Sequence, residues 1–154
     1  MGQFTDEIPD NLLAWIRKQE MFFVATAPLS GDGHVSLSPQ RLKTRVWYED
    51  LSGSSVETIS HLKENKRITI MFCAFDGAAR IVRLFGTGPK VYEVRTPEYA
   101  ALIPPDWLRP SSQSSSPRLA FSDPSLGAAQ SCGYAVPLYA FKAHRTCSLQ
   151  IRQY

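Results

Sequence analysis

The 154-residue sequence has no apolar run approaching the roughly 18 residues that a membrane helix needs, so a helical span is excluded. Its N-terminus, "MGQFTDEIPD", is acidic and lacks the basic-then-apolar order of a signal peptide. Asp6 stands where N-myristoylation would want Ser or Thr. Excess charge of one sign is also missing. Seventeen Lys and Arg against 14 Asp and Glu leave a formal net charge of +3, too small and too dispersed to argue for nucleic acid. Cysteine is sparse: Cys73, Cys132 and Cys147 lie far apart with no CxxC pair. That fits reduced thiols in the cytoplasm better than a disulfide framework. His34, His61 and His144 show no metal-ligand spacing, so surface or packing roles are expected of them, and no metal. Catalytic signatures are absent as well. There is no GxSxG, HExxH, Walker loop or GxGxxG, and the carboxylates are too scattered for a paired-carboxylate hydrolase.

What is present reads as a soluble globular domain, 44% apolar and 20% charged, with one domain expected over residues 1–154. Ile8, Leu12, Trp15 and Ile16 recur at helical spacing and predict a helix over 8–19, closed by Arg17 and Lys18. "MFFVATA" (21–27) and "HVSLSP" (34–39) flank the turn residues "SGDG" and predict a β-hairpin. Val35 and Leu37 fall on one face of its second strand, Ser36 and Ser38 on the other. "TRVWYED" (44–50) is a third strand candidate. Ser54 and Glu57 have capping-box spacing, and Val56, Ile59 and Leu62 form a stripe that stops at Asn65. "RITIMFCAF" (67–75) predicts a strand with both faces fit for burial. After the turn "DGAA", "RIVRLFGTGPKVYEV" (80–94) returns, with Gly86 and Gly88 expected as bulges or close backbone approaches. Thr96, Pro97 and Glu98 open another helix. Residues 104–127 are Pro- and Ser-rich and predict a long mobile loop with Trp107 and Leu108 as anchors. "CGYAVPLYAF" (132–141) resumes an ordered apolar pattern, and 143–154 loses periodicity. The order implies a mainly antiparallel β protein with flanking α-helices, a small barrel or strongly curled sheet.

One constellation carries chemistry. Ser36 and Ser38 share a strand face, Arg41 and Lys43 lie just beyond it, Ser52, Gly53, Ser54 and Ser55 precede a helix, and Arg80 and Arg83 sit on a mostly apolar strand. Hydroxyls, backbone N–H groups and a cation beside apolar walls suit an anionic, planar, partly apolar ligand. Blander readings stand beside this. Ser54 and Glu57 can be a helix cap alone, and Ser36 and Ser38 a solvated strand face. Arg83 can pair with Glu93 or Asp50, and Cys132 can be a buried thiol rather than a nucleophile. Trp47 and Tyr48 can be core or interface rather than a substrate cage.

The hairpin "FFVATAPLSGDGHVSLSP", the segment "SGSSVETISHLKENKRITIMF" and the strand "ARIVRLFG" resemble the FMN-binding split β-barrel of the pyridoxamine 5'-phosphate oxidase-like superfamily. Within it, they are similar to a fungal and bacterial branch with "SPKG"-like, "GSGVETIAHL"-like, "RLFG"-like and "SCGYAVP"-like motifs. The similarity covers roughly residues 8–142. It implies an FMN-dependent oxidoreductase acting on a small organic substrate in a homodimer, the flavin lying between subunits. The family's phosphate-binding strand begins with Arg and ends with Lys, positions held here by Ser36 and Arg41. Ser52 matches a following Thr, and Glu57 and Thr58 replace the Arg-Lys pair of the oxidases. Gln40 replaces the lysine of "SPKG", and Arg83 matches an arginine near the flavin ring. The implied FMN contacts are therefore Ser36, Ser38, Gln40, Arg41, Ser52, Gly53, Ser54, Ser55, Thr58 and Arg83. No acid or base is evident, so Arg83, Tyr48 and Tyr134 are the catalytic candidates. The lost basic residues leave a second expectation open, a diverged split barrel that works without flavin. It would perform a non-redox step (isomerisation or cyclisation) in a biosynthetic pathway, or serve as a non-catalytic dimeric ligand-binding domain. The tail over 143–154 departs from the branch and reads as diverged and truncated.

Overall fold

Proline at position 9 decides where the first helix begins. Lacking an N–H, Pro9 stands at the N-cap of α1 (Asp10–Ile16), and its carbonyl accepts from the Leu12 and Leu13 amides at 2.9 and 3.0 Å. The helix is thus shorter than the 8–19 expected, with Ile8 outside it yet packed on the core. Its far end tightens into short turns: Lys18 N–H bonds Trp15 O and Gln19 N–H bonds Ile16 O. Gln19 Nε2 also donates to Trp15 O at 3.0 Å. The computed structural model describes residues 3–41, 47–48, 56–87, 90–92, 96–102, 118–120 and 127–144.

The expected hairpin is present as β2 (Met21–Thr26) and β3 (Ser36–Arg41), antiparallel from Met21↔Arg41 to Thr26↔Ser36. β5 (Arg67–Cys73) pairs with both β2 and β6 (Ile81–Thr87), the latter across a turn in which Gly77 takes a φ of +67°. With β1 (Gln3–Thr5) and β9 (Gly127–Ser131) they form a six-stranded antiparallel sheet in the order β1-β9-β6-β5-β2-β3. A second sheet, in the order β4-β8-β7, joins β4 (Trp47–Tyr48), β8 (Arg118–Ala120) and β7 (Lys90–Tyr92). Between the strands lie α2 (Val56–Asn65) and α3 (Pro97–Leu102). The mainly antiparallel architecture with flanking helices is as expected, but among the described residues the six-stranded sheet is open, not closed into a ring.

Four local expectations are corrected. The 80–94 strand is two strands in different sheets, and Gly86 is no bulge: it pairs regularly with Ile68 inside β6. Residues 118–120, expected in a mobile loop, form the middle strand of the second sheet between β4 and β7. The same expectation ended at Gly127, which begins β9. That strand, "GAAQS", is too small and polar to announce itself, yet Ala128 is buried at 1% exposure. The apolar pattern of 132–141 is no core element: Tyr134, Leu138, Tyr139 and Phe141 are all exposed. This arm is held by Tyr139 N–H on Phe75 O at 2.8 Å, by the Phe75–Tyr139 ring contact, and by His144 Nε2 on Glu20 at 2.9 Å. Gly133 lets the arm leave β9, because a Cβ there would meet the Arg80 backbone nitrogen at 2.6 Å.

One face of the large sheet is the core. Phe22 and Val24 of β2, Ile68, Ile70 and Phe72 of β5, and Val82 and Leu84 of β6 are buried beneath Leu12 and Ile16 of α1 and Leu62 of α2. Trp15 and Ile59 close the packing, and Phe72 meets the Phe22 and Trp15 rings at 5.4 and 6.5 Å. The last turns of α2 are tied to the segment after β2. His61 Nδ1 shares a hydrogen bond with the Thr26 hydroxyl at 3.0 Å, Glu64 accepts from Leu29 N–H at 3.0 Å, and Asn65 Nδ2 donates to Ala27 O at 2.7 Å. Asn65 Oδ1 also accepts from Arg67 N–H at 2.9 Å, and Lys66 turns the chain with a φ of 58°.

Candidate functional site

Strand parity sorts the candidate residues between the two faces of the six-stranded sheet. Ser36 and Ser38 stand opposite Thr26 and Val24, so they lie on the core side and are half-buried. The apolar Val35 and Leu37 are the exposed ones, at 68% and 62%. This reverses the usual edge-strand pattern and sets aside the reading of the serines as a solvated face. Gln40 and Arg41 end β3, opposite Phe22 and Met21, and their side chains lie outside the described residues. Ser52, Gly53, Ser54 and Ser55 lie wholly outside them, and with them the capping box. Glu57 is exposed on the first turn of α2, whereas Thr58 packs inward at 1% exposure.

The two strand arginines separate. Arg80, just before β6, sets its guanidinium 5.4 Å from the centre of the Trp15 ring. Arg83 projects from the opposite, outer face, between Met71 of β5 and Ala129 of β9. It is half-buried and donates from Nη1 to Ser131 Oγ at 3.2 Å. Sequence reasoning missed Ser131, since β9 was not foreseen; Glu93 and Asp50, its suggested partners, lie outside the described residues. Among the described residues no carboxylate pairs with Arg83. Cys73 shares this face. Burial pushes its thiol pKa up, and the nearby Arg83 charge pulls the other way. Cys132, weighed as a buried thiol, is exposed instead, because the chain leaves the sheet immediately after β9.

The structure therefore brings Arg83, Ser131 and Cys73 together and keeps Ser36 and Ser38 on the other side of the sheet. Tyr134 stands 88% exposed on the arm after β9, and Tyr48 belongs to the second sheet, its side chain outside the described residues. Among the described residues, no three His, Cys, Asp or Glu side chains converge as metal ligands, and no helix is long and apolar enough to cross a membrane.

Residues 8–121 match the family model for pyridoxamine 5'-phosphate oxidase. The chain belongs to that family, and its antiparallel sheets with flanking helices are the split-barrel fold the resemblance implies. The pyridoxamine 5'-phosphate oxidase family protein ustO of Aspergillus flavus is 43% identical over 112 residues, 67% of this chain and 44% of that protein. The chain thus spans less than half the length of this curated relative. A crystal structure of a candidate pyridoxamine 5'-phosphate oxidase from Corynebacterium glutamicum is 12% identical, with a TM-score of 0.43 over 86% of this chain and 99% of that one.

Proposed function

We propose that the chain is an FMN-dependent oxidoreductase that acts on a small organic substrate at a homodimer interface in the cytoplasm. The observation that carries this reading is Arg83. A half-buried guanidinium on an apolar sheet face, balanced by no carboxylate among the described residues, suits a planar, electron-rich ring with acceptor oxygens. FMN, when bound, supplies hydride transfer. The chain's own residues bind and orient it. Arg83 donates from the nitrogens that Ser131 does not use. Arg41, with the hydroxyls and amides of Ser52 to Ser55, serves the phosphate end. Glu57, exposed to solvent, weakens that end little because water screens it. Tyr48 and Tyr134 are the polar side chains left for the substrate. The second copy is expected on the arm after β9, where Leu138, Tyr139 and Phe141 are exposed.

Purified protein is expected to show the visible absorbance of oxidised flavin, or gain it on FMN addition, with one flavin per chain in the native mass spectrum of a dimer. Arg83→Ala should weaken FMN binding by about 10- to 100-fold, the worth of a charge-assisted hydrogen bond. A chain that stays colourless with FMN added overturns the reading.

A flavin-free reading has its own support in Glu57 and Thr58, one acidic and one packed inward, where the oxidases carry a basic pair. Such a chain would catalyse an isomerisation or cyclisation in a biosynthetic pathway, or bind a ligand without catalysis. Turnover by flavin-free protein selects that reading.

A further inference from the structure

On the outer face of the six-stranded sheet, at the end away from Arg41, lies a cavity of about 370 Å³. Its floor is made by Ala25 and Thr69, adjacent cross-strand partners on β2 and β5. Its walls are Val35, before β3, and Phe85 on β6, and Arg67 and Thr87, themselves a cross-strand pair, close one end. The depression exists because two small side chains sit between two large ones. Three strand spacings separate β3 from β6, about 14 Å, so a single ring or short branched chain fits across the floor.

We propose that this cavity, two residues along β6 from Arg83 on the same face, is a binding site for a compact carboxylate with an apolar body, centred on Arg67 rather than on Arg83. The walls supply the apolar contact: Phe85 is 40% exposed and Val35 68%. Arg67 supplies the charge. Among the described residues no carboxylate pairs with it. Glu64, the acidic residue nearest in sequence, is held by Leu29 N–H. Lys66 beside it adds to the positive field. Thr87, opposite Arg67, has its Cβ about 5 Å away, so guanidinium and hydroxyl can donate to the same carboxylate. Arg67 is the one charged residue among the described residues of the lining and balances a single negative charge, which favours a carboxylate over a phosphate dianion. The cavity is also remote from the proposed flavin phosphate end. Ser36 marks its end of β3 and Arg41 the other, five residue steps or about 17 Å apart. The proposal does not rest on the flavin reading.

The test is an amide NMR titration of the full chain with 3-phenylpropionate, its neutral amide and inorganic phosphate, each to millimolar concentration. The acid should shift the amides of residues 25–27, 67–69 and 85–87, and the amide analogue should bind at least about tenfold more weakly. Arg67→Gln, on an exposed side chain, should weaken acid binding about tenfold while leaving thermal unfolding unchanged. Ala25→Leu should fill the floor and abolish the shifts. Equal binding of acid and amide, tighter binding of phosphate, or shifts confined to residues 71–73, 81–83 and 129–131 would each overturn the proposal. So would a dimer that shields these residues and breaks on Arg67→Gln, since the cavity then belongs to a second copy.

Discussion

Asn65 satisfies two backbone groups from different parts of the chain, the Ala27 carbonyl and the Arg67 amide. The Ala27 carbonyl is part-buried and is left underserved when the side chain is removed, whereas the exposed Arg67 amide can turn to water. Asn65→Ala should destabilise the fold by about 2 kcal/mol, seen as a lower urea midpoint with unchanged slope. The cysteines give a second residue-scale expectation. Peptide mapping after brief alkylation should find Cys132 modified and Cys73 protected, because only the former is exposed. Cys73 also couples folding to pH. Its thiol keeps its proton in the fold above the usual 9.0, where the unfolded chain ionises. Its contribution is therefore fully present below pH 9.0 and lost as pH rises through the higher, folded value. Cys73→Ser should flatten that alkaline decline in a series of urea melts. Arg83 was legible as a strand arginine; its partner Ser131 was not, because that hydroxyl comes from a strand without β-formers.

Elements with strong periodicity were readable because burial itself wrote the pattern. β2 and β5 form where their apolar runs predict strands, and α1 and α2 bury Leu12, Ile16 and Leu62. Elements defined by pairing rather than by burial were not. β8 is three residues in a Pro- and Ser-rich stretch, and its role comes from lying between Trp47–Tyr48 and Lys90–Tyr92. The arm after β9 misled in the other direction: its apolar residues point outward. Gly133 sets its path, and Gly133→Ala must displace either the arm or the Arg80 backbone. The variant should keep the core, with unchanged secondary-structure CD, while limited proteolysis cuts within 134–144 faster than in the parent.

At the scale of the molecule, one face of the six-stranded sheet packs against α1 and α2, and the other carries Arg83 and the cavity between Val35 and Phe85. The family was legible from its ordered motifs, whereas the position of its serines relative to the sheet was not, since parity depends on register. If the arm carries the homodimer, Leu138→Glu should yield a folded monomer by sedimentation, with FMN binding lost if the flavin requires both copies. The pairing of β1 with β9 has a further consequence. Thr5 Oγ1 donates to Ala128 O across 123 residues, and closing a loop of that size costs about 2 kcal/mol more than closing one of ten residues. On the ribosome, residues 3–5 therefore wait for residues 127–131 to emerge before that edge of the sheet can form. A nascent chain stalled before Gly127 leaves β6 without its neighbour, with Ile81, Val82 and Leu84 along an unpaired edge open to chaperones or to other nascent chains.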